Sequence, residues 1–426
     1  MKIPHSRKRK IHYGWFVTLG CGCMLFYSIG LACNCTSLFL NPLMEQLELN
    51  KTLGSLIVNM QSTGGLCAMA VTGKLIHRFG ARKILFLAGL VIAAGYAMFS
   101  TVESALICYV AAFVVGLGYG SGSMIPVSIL LTAWFEKKRG FALGIATMFS
   151  GIATIIGPKL LTGIIERSGV EAAFIALSLT VALLTTFSFL LIRNKPKDKG
   201  LLPYGYVGSE RDIAVEELGV TFKEAVHMAE YYLIAAVAIF LGITAMPVVS
   251  HISPILIQSG FAPGIVAYML ALFGIGMLIS KPLYGIVIDQ FGIFKSNTVI
   301  FSFLTASLCS GLFIDKAQAL TYLFVLLFGI GIPVTTIAFP IWIAAIFGKK
   351  DLANIYSSIK ILFTLGAVLG GSLPGIVADL RGSYLPVFII YIVVVVMSYV
   401  ILQYLFRDEQ QARHRAQKAQ CQGQKL

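Results

Sequence analysis

Three lysines interrupt stretches of chain that are otherwise apolar: Lys159, Lys281 and Lys360. An ammonium group well inside a long apolar helix costs on the order of 3 kcal/mol or more, and such residues usually face a cavity and serve a pathway. The chemistry open to them is the binding of an anion. Lys281 stands eight residues before Asp289 at the end of its run, and Lys360 eight residues after Leu352 at the start of its own. At 1.5 Å of rise per residue, each ammonium starts roughly 12 Å inside its run. All nineteen Asp and Glu residues fall in loops, in a polar central stretch, in the tail or at the ends of runs, so pairing with a carboxylate fails on inventory. The alternative is that the lysines snorkel to an interface, a reach of about a turn or two that leaves both at the limit. Lys159, which follows Pro158, has no partner that can be named, and either snorkels or lines an outer vestibule.

The elements that must carry these lysines are long and hydrophobic. Apolar runs cover about 13–40, 52–76, 84–101, 105–133, 141–165 and 171–192, then about 228–257, 264–288, 297–314, 319–347, 353–377 and 385–406. Most are long enough to cross a bilayer core as a helix. The composition agrees, with 57% hydrophobic and 12% charged residues and a mean hydropathy of +0.85; a soluble domain carries about twice that charged fraction. The expected fold is an all-α membrane protein of twelve transmembrane helices. Residues 1–192 form one six-helix half, 193–226 a hydrophilic linker, 227–406 a second six-helix half and 407–426 a basic tail.

Lys and Arg in the short loops set the orientation. One side collects Lys2, Arg7–Lys10, Arg78, Arg82, Lys83, Lys137–Arg139, the linker, Lys295, Lys349, Lys350 and the tail; the other has only Lys51, Arg167, Lys316 and Arg381. Both termini and the linker are therefore expected to be cytoplasmic. This placement also explains the formal net charge of +14 through anionic lipid headgroups rather than nucleic acid, since no basic face is interleaved with aromatics. The basic start runs into a long span without a small-residue cleavage site, so the first helix is expected to stay. Seven of the eight cysteines lie in apolar spans. Pairs at i and i+2, such as Cys21 and Cys23 or Cys33 and Cys35, point to different sides of a helix and cannot share an ion. They read as small apolar fillers, and no metal or cofactor is expected.

The halves repeat with an offset of about 212 residues: Gly73-KLIHRFG answers Gly285-IVIDQFG, and Gly116-LG answers Gly329-IG. Two six-helix halves in parallel repeat, joined by a linker, are what an alternating-access transporter with a central site requires. The stretch Gly73–Lys83 resembles the signature loop of the major facilitator superfamily, G-x-L-x-D-R-x-G-R-[RK], with Gly73, Arg78, Gly80 and Arg82 at matching places. His77 stands where the acid is usual, while the second copy keeps Asp289. The resemblance implies a gating loop whose acid latches the closed interface, and it puts the first latch in doubt. Gly151-x5-Gly157-Pro158-x4-Gly163 resembles the glycine/proline motif of antiporters, and Tyr13-Gly14-Trp15 with Lys281-Pro282-Leu283-Tyr284-Gly285 resembles the bacterial oxalate/formate antiporter group, itself related to monocarboxylate transporters.

That group binds its dianion with an arginine on the eighth helix and a lysine on the eleventh, where this chain has Lys281 and Lys360. The resemblance thus implies a small-carboxylate clamp, a multi-pass protein of a bacterial-type plasma membrane, a monomer, and anion exchange, with proton-coupled monocarboxylate symport as the alternative. Replacing a planar guanidinium by a point charge leaves oxalate itself unassured. Tyr27, Gln61, Phe149, Phe339, Trp342 and Tyr356 lie at similar depth and are candidates to shape the pocket, against a packing role for each. His251, between Pro247 and Pro254 where the helix is expected to break, is either a proton carrier or a residue satisfying a proline-freed carbonyl. No GxxxxGK[ST], HExxH or Ser/His/Asp set argues for an ATP-driven pump or an enzyme.

Overall fold

A computed structural model describes residues 11–407 apart from 50, 207–218, 315 and several positions between 372 and 383. The basic tail past Arg407, the middle of the linker and Cys421 lie outside the described residues.

The described chain is helical, with isolated bridges in place of any strand. The first half contains α1 (Gly14–Leu25), a π-helical turn (Phe26–Leu31), α2 (Ser37–Gln46), α3 (Lys51–Phe79), α4 (Ala81–Phe99), α5 (Ala105–Ser121), α6 (Met124–Trp134) and α7 (Arg139–Leu191). A one-turn helix, α8 (Phe222–Ala225), precedes the second half, which contains α9 (Ala229–Gln258), α10 (Pro263–Gly311), α11 (Gln318–Gly331), α12 (Ala338–Phe347), α13 (Leu352–Gly371) and α14 (Leu385–Leu405). Nine helical stretches among the described residues are long and apolar enough to cross a membrane. Two of these are double-length and bend at a left-handed glycine, Gly169 in α7 (φ 83°) and Gly292 in α10 (φ 82°).

Several expected runs are divided. The first gives way to turn structure between Leu31 and Ser37, the fourth breaks at Gly122–Ser123, and the tenth passes through a 3-10 turn at Ile332–Thr335. The seventh does the reverse: α9 runs unbroken past Pro247 and His251, so the expected break is absent. Prolines are tolerated inside spans where neighbouring groups take up the freed backbone.

The 212-residue repeat governs the backbone. Gly80 ends α3 with φ 82°, and Gly292, 212 positions on, ends the first arm of α10 with φ 82°. An L side chain is strained in that region, so glycine is needed to turn the chain sharply there. Gly116 packs against the Gln61 carbonyl just as Gly329 packs against that of Phe273, which closes α3 on α5 and α10 on α11.

The halves meet along two seams at the end that carries the linker. On one, α7 lies against α10: a Cβ added to Gly140 would meet the Gly285 carbonyl oxygen at 2.6 Å. The approach loosens away from that end, to 3.5 Å at Gly151–Leu278 and 3.8 Å at Gly274–Ile155. On the other, Gly73 of α3 abuts the start of α13, where a Cβ would meet Asn354 Cα at 2.8 Å. Across this end Lys349 Nζ pairs with Glu136 Oε2 at 2.9 Å, and Arg139 donates to the Pro340 carbonyl at 3.1 Å. The two described ends of the linker dock on equivalent loops. Tyr204 N donates to Trp134 O at 2.8 Å on the first half, and Val220 N donates to Phe347 O at 2.9 Å on the second.

Candidate anion site between the halves

Lys281 lies on the first arm of α10, facing α7, and is only 4% exposed. Its ammonium donates to the main-chain carbonyl of Thr147 at 3.2 Å and to Ser150 Oγ at 3.0 Å. Both acceptors are on α7, so the charge is held across the seam between halves. Gly144 makes this possible, since a Cβ there would meet Pro282 Cα at 2.7 Å. Neither acceptor carries charge, and two neutral hydrogen bonds offset only part of the cost of removing an ammonium from water.

Lys360, on α13, is half-buried. Its Nζ sits 3.9 Å from the centroid of the Phe363 ring, a cation–π contact that attracts the ammonium without cancelling its charge. Phe363 is backed by Phe339 at 5.8 Å between centroids, and Phe339 by Trp342 at 5.3 Å. Trp342 Nε1 donates to Asn297 Oδ1 at 3.1 Å. Phe339 and Trp342 are fully buried, so they hold Phe363 in place from behind rather than present a surface. The two ammonium groups share no partner: Lys281 faces α7, and Lys360 lies in electrostatic reach of Cys33, in the turn after α1.

The other expected pocket residues divide in the same way. Tyr356 is fully buried with its hydroxyl toward Ser128 of α6, although neither hydroxyl meets hydrogen-bond geometry. Tyr27 is buried; its phenol donates to Met24 Sδ at 2.6 Å and accepts from Thr185 Oγ1 at 3.0 Å, which pins the π-turn to α7. Phe149 is half-buried with its ring laid on Gly22, 2.7 Å from an added Cβ. Gln61 donates to the Ala32 carbonyl and accepts from Thr36 Oγ1 at 3.2 Å, bracing the break after α1. Gln61 and Thr36 also edge a small pocket lined by Phe39, Tyr96, Phe99 and Phe174. His251 Nδ1 bonds the Pro247 carbonyl at 2.9 Å; a carbonyl only accepts, so that nitrogen carries the proton.

Lys159 is exposed. On its arm of α7, Gly140, Gly144 and Gly151 face α10, while Phe149 faces α1, and Ala153 and Gly157 face the π-helical turn and the turn that follows it. At 100° per residue Lys159 lies about 80° round from Gly151 and on neither packed face, which supports snorkelling over the vestibule.

At the linker end, Asp289 accepts from the N–H groups of Gly140 at 2.9 Å and Phe141 at 2.8 Å, capping the first turn of α7. His77, its counterpart in the repeat, is exposed. Arg78 lies over the Phe79 ring at 5.2 Å. Arg82 donates through Nε and a terminal nitrogen to the Phe189 carbonyl, at 3.2 and 3.0 Å, closing the far end of α7.

Four residues with a part in this arrangement were not marked by sequence pattern. Ser150 and Thr147 take up the Lys281 charge, and small hydroxyls in a glycine-rich helix give no signal of that. Cys33 stands beside both Tyr119 and Lys360, and Tyr119 lies in electrostatic reach of Tyr356. Cys33 is exposed, as are Cys67 and Cys309, so the apolar-filler reading holds for the buried Cys21, Cys23, Cys35 and Cys108 alone. Among the described residues no group of His, Cys, Asp and Glu could hold a metal.

Comparison with known proteins agrees with the fold. The chain is 21% identical over 78% of its length, and 81% of the relative's, to an uncharacterised MFS-type transporter, YhjX, of Escherichia coli. It is 22% identical to the oxalate:formate antiporter of Oxalobacter formigenes, over 62% of this chain and 61% of that one. A chicken (Gallus gallus) protein, monocarboxylate transporter 9, is 30% identical over 28% of this chain and 24% of its own. Among solved structures, the proton:xylose symporter XylE superposes with a TM-score of 0.72 at 13% identity, covering 93% of this chain and 95% of that one. The transporter FucP in its outward conformation gives 0.68 at 16% identity, covering 92% and 99%. A family model described as the Major Facilitator Superfamily matches residues 20–268 and again 231–422. The chain is therefore a membrane-embedded secondary transporter, not an enzyme, and it belongs to the Major Facilitator Superfamily.

Proposed function

We propose that this protein exchanges small carboxylate anions across a bacterial-type plasma membrane by alternating access. Its twelve spans form halves at 1–192 and 227–406, with the linker 193–226, the tail 407–426 and both termini cytoplasmic. Lys281 and Lys360 are the substrate clamp, and Cys33 and Tyr119 contribute the first half's side of the pocket.

The observation that carries this reading is the state of the two lysines. Lys281 is buried against neutral acceptors, and the half-buried Lys360 lies over an aromatic face. Neither has a carboxylate partner among the described residues, where the one ion pair present joins Lys349 and Glu136. A dianion satisfies both charges at once. The oxalate:formate antiporter and the monocarboxylate transporter among its relatives point the same way. Symport draws less support, because His251 spends its Nδ1 proton on a carbonyl of its own helix.

The deciding experiment is counterflow. Purified protein in liposomes preloaded with unlabelled oxalate, formate, lactate or succinate should accumulate the labelled counterpart of its substrate quickly. Liposomes without a preload should do so slowly. Rapid uptake without a preload under an inward proton gradient, lost in His251→Ala, would replace exchange with symport.

A further inference from the structure

Lys281 does more in this conformation than wait in a cavity. Its two acceptors lie on the opposite half of the molecule, at 3.2 and 3.0 Å, and the side chain is 4% exposed. Ser150 is itself only 2% exposed and fixed, since its hydroxyl hydrogen is committed to the Thr147 carbonyl at 2.7 Å. That commitment orients a lone pair of Ser150 Oγ at the ammonium. The bond lies about one turn from Gly285 along α10 and two to three turns from Gly140 along α7, next to the close approach at Gly144, where a Cβ would meet the Lys281 carbonyl oxygen at 2.5 Å. Any rocking that opens the linker end must separate these two helices there and stretch it.

We propose that Ser150 is a positioning residue for transport: with the Thr147 carbonyl it forms a cross-half berth for Lys281 that holds the linker end closed, and an anion must draw the ammonium off this berth before the halves can rock. This rests on the anion-exchange reading and supplies its coupling. A carrier holding no anion keeps the tie and stays closed at the linker end. A carrier whose Lys281 has turned to an anion loses the tie and is released. Lys360 makes no such cross-half bond, so the two lysines divide the work: Lys360 holds the anion, while Lys281 reports it to α7.

Lys83 and Lys295 are exposed, 212 residues apart, and begin equivalent helices of the two halves. Spin labels on these positions in reconstituted full-length protein measure the linker-end separation by pulsed dipolar spectroscopy without reference to any substrate. Ser150→Ala is expected to raise the open-to-closed ratio about tenfold in anion-free buffer, the size expected for one hydrogen bond from a charged donor. Ser150→Thr, which keeps the hydroxyl, should restore the parent distribution. Ser150→Cys, a near isostere with a weak sulfur acceptor, should behave as alanine does if the alanine variant fails to insert. In labelled-oxalate assays the alanine variant should gain net flux while keeping exchange, whereas mere structural damage lowers both. Identical distance distributions in all variants overturn the berth. A wild type that moves no oxalate while Ser150→Ala still opens the linker end keeps the berth and rejects the carboxylate reading instead.

Discussion

Gly140 and Gly285 touch backbone to backbone, and a Cβ on Gly140 would meet the Gly285 carbonyl oxygen at 2.6 Å. This contact lets α7 and α10 close the linker end, and everything bound across the seam depends on it. Gly140→Ala should therefore open that end, because overpacking a tight contact costs about 1–3 kcal/mol, or roughly fivefold to 150-fold in the closed-to-open ratio. Exchange should fall by a similar factor while the Tm of the solubilised protein moves little. Gly163→Ala is the control, since an added Cβ there meets nothing within 4 Å. Equal losses in both variants would assign the effect to helix propensity rather than to the seam.

Asp289 and His77 occupy equivalent places in the repeat, yet only Asp289 caps a helix across the seam. Residues 352 and 353 stand to position 77 as Gly140 and Phe141 stand to Asp289. His77→Asp is therefore expected to add a second cap and to favour the closed linker end by about 0.3–1 kcal/mol. Asp289→Asn should shift the balance the other way. Accessibility of an engineered linker-end cysteine to a membrane-impermeant maleimide reads both, with labelling slower in the first variant and faster in the second. Unchanged labelling in His77→Asp would mean that no second cap forms at the start of α13.

Removing charge from the clamp should separate its members. Lys360→Gln is expected to lower anion affinity by about a hundredfold or more, in line with the roughly 2–5 kcal/mol lost when one side of a buried charge pair is truncated. Lys360→Arg should retain part of it, because the guanidinium can still stack on Phe363. Isothermal titration or substrate-protected thermal shift measures this directly. Full binding in a Lys281→Ala, Lys360→Ala double variant would dispose of the clamp.

The linker carries a pH-sensitive element of its own. Thr221 N donates to Glu224 Oε2 at 2.6 Å, and the Glu224 amide donates back to Thr221 Oγ1 at 3.3 Å. The bond from the Thr221 amide, followed by that of its side chain, holds the Glu224 carboxyl below the usual glutamate range. A group whose pKa is lowered on folding stabilises above its unfolded pKa, about 4.3 for Glu, and loses that contribution as pH falls through the folded value. Amide exchange at 220–226 should therefore keep its protection at pH 6 and lose part of it below about pH 4. Glu224→Gln should show the weaker protection at every pH.

What the sequence disclosed depended on whether the signal was local. Lys281 and Lys360 were visible because a charge inside an apolar run is costly wherever the helix points. The repeat was visible because the same left-handed turn demands glycine at both Gly80 and Gly292. The partner of Lys281 was not, since Ser150 lies 131 positions away and a serine in a span has many uses. Tyr27, Phe339 and Trp342 are buried, and position along a helix does not fix helical phase, so a modest rotation turns a lining ring into a buried one. The breaks after α1, α5 and α11 fall at Gly, Ser, Thr and Pro residues that were present in the text of the chain. The two prolines near His251, a stronger nominal signal, left α9 whole because a crowded interior can absorb the freed carbonyls.

The docked linker ends set how the two halves are tethered. Tyr204 is paired with the loop after α6, and Val220 with the loop after α12, so each end is anchored to its own half by main-chain bonds. Between Tyr206 and Gly219 lie thirteen peptide steps, a contour of about 45 Å when extended. That contour sets an upper bound on how far the two anchored ends can part when the halves rock. The separate docking also makes the covalent connection dispensable in principle: a chain cut between 206 and 219 would leave two fragments, each with its own docked linker end and its own helices, the second bringing both Lys281 and Lys360 to a seam that the first must match.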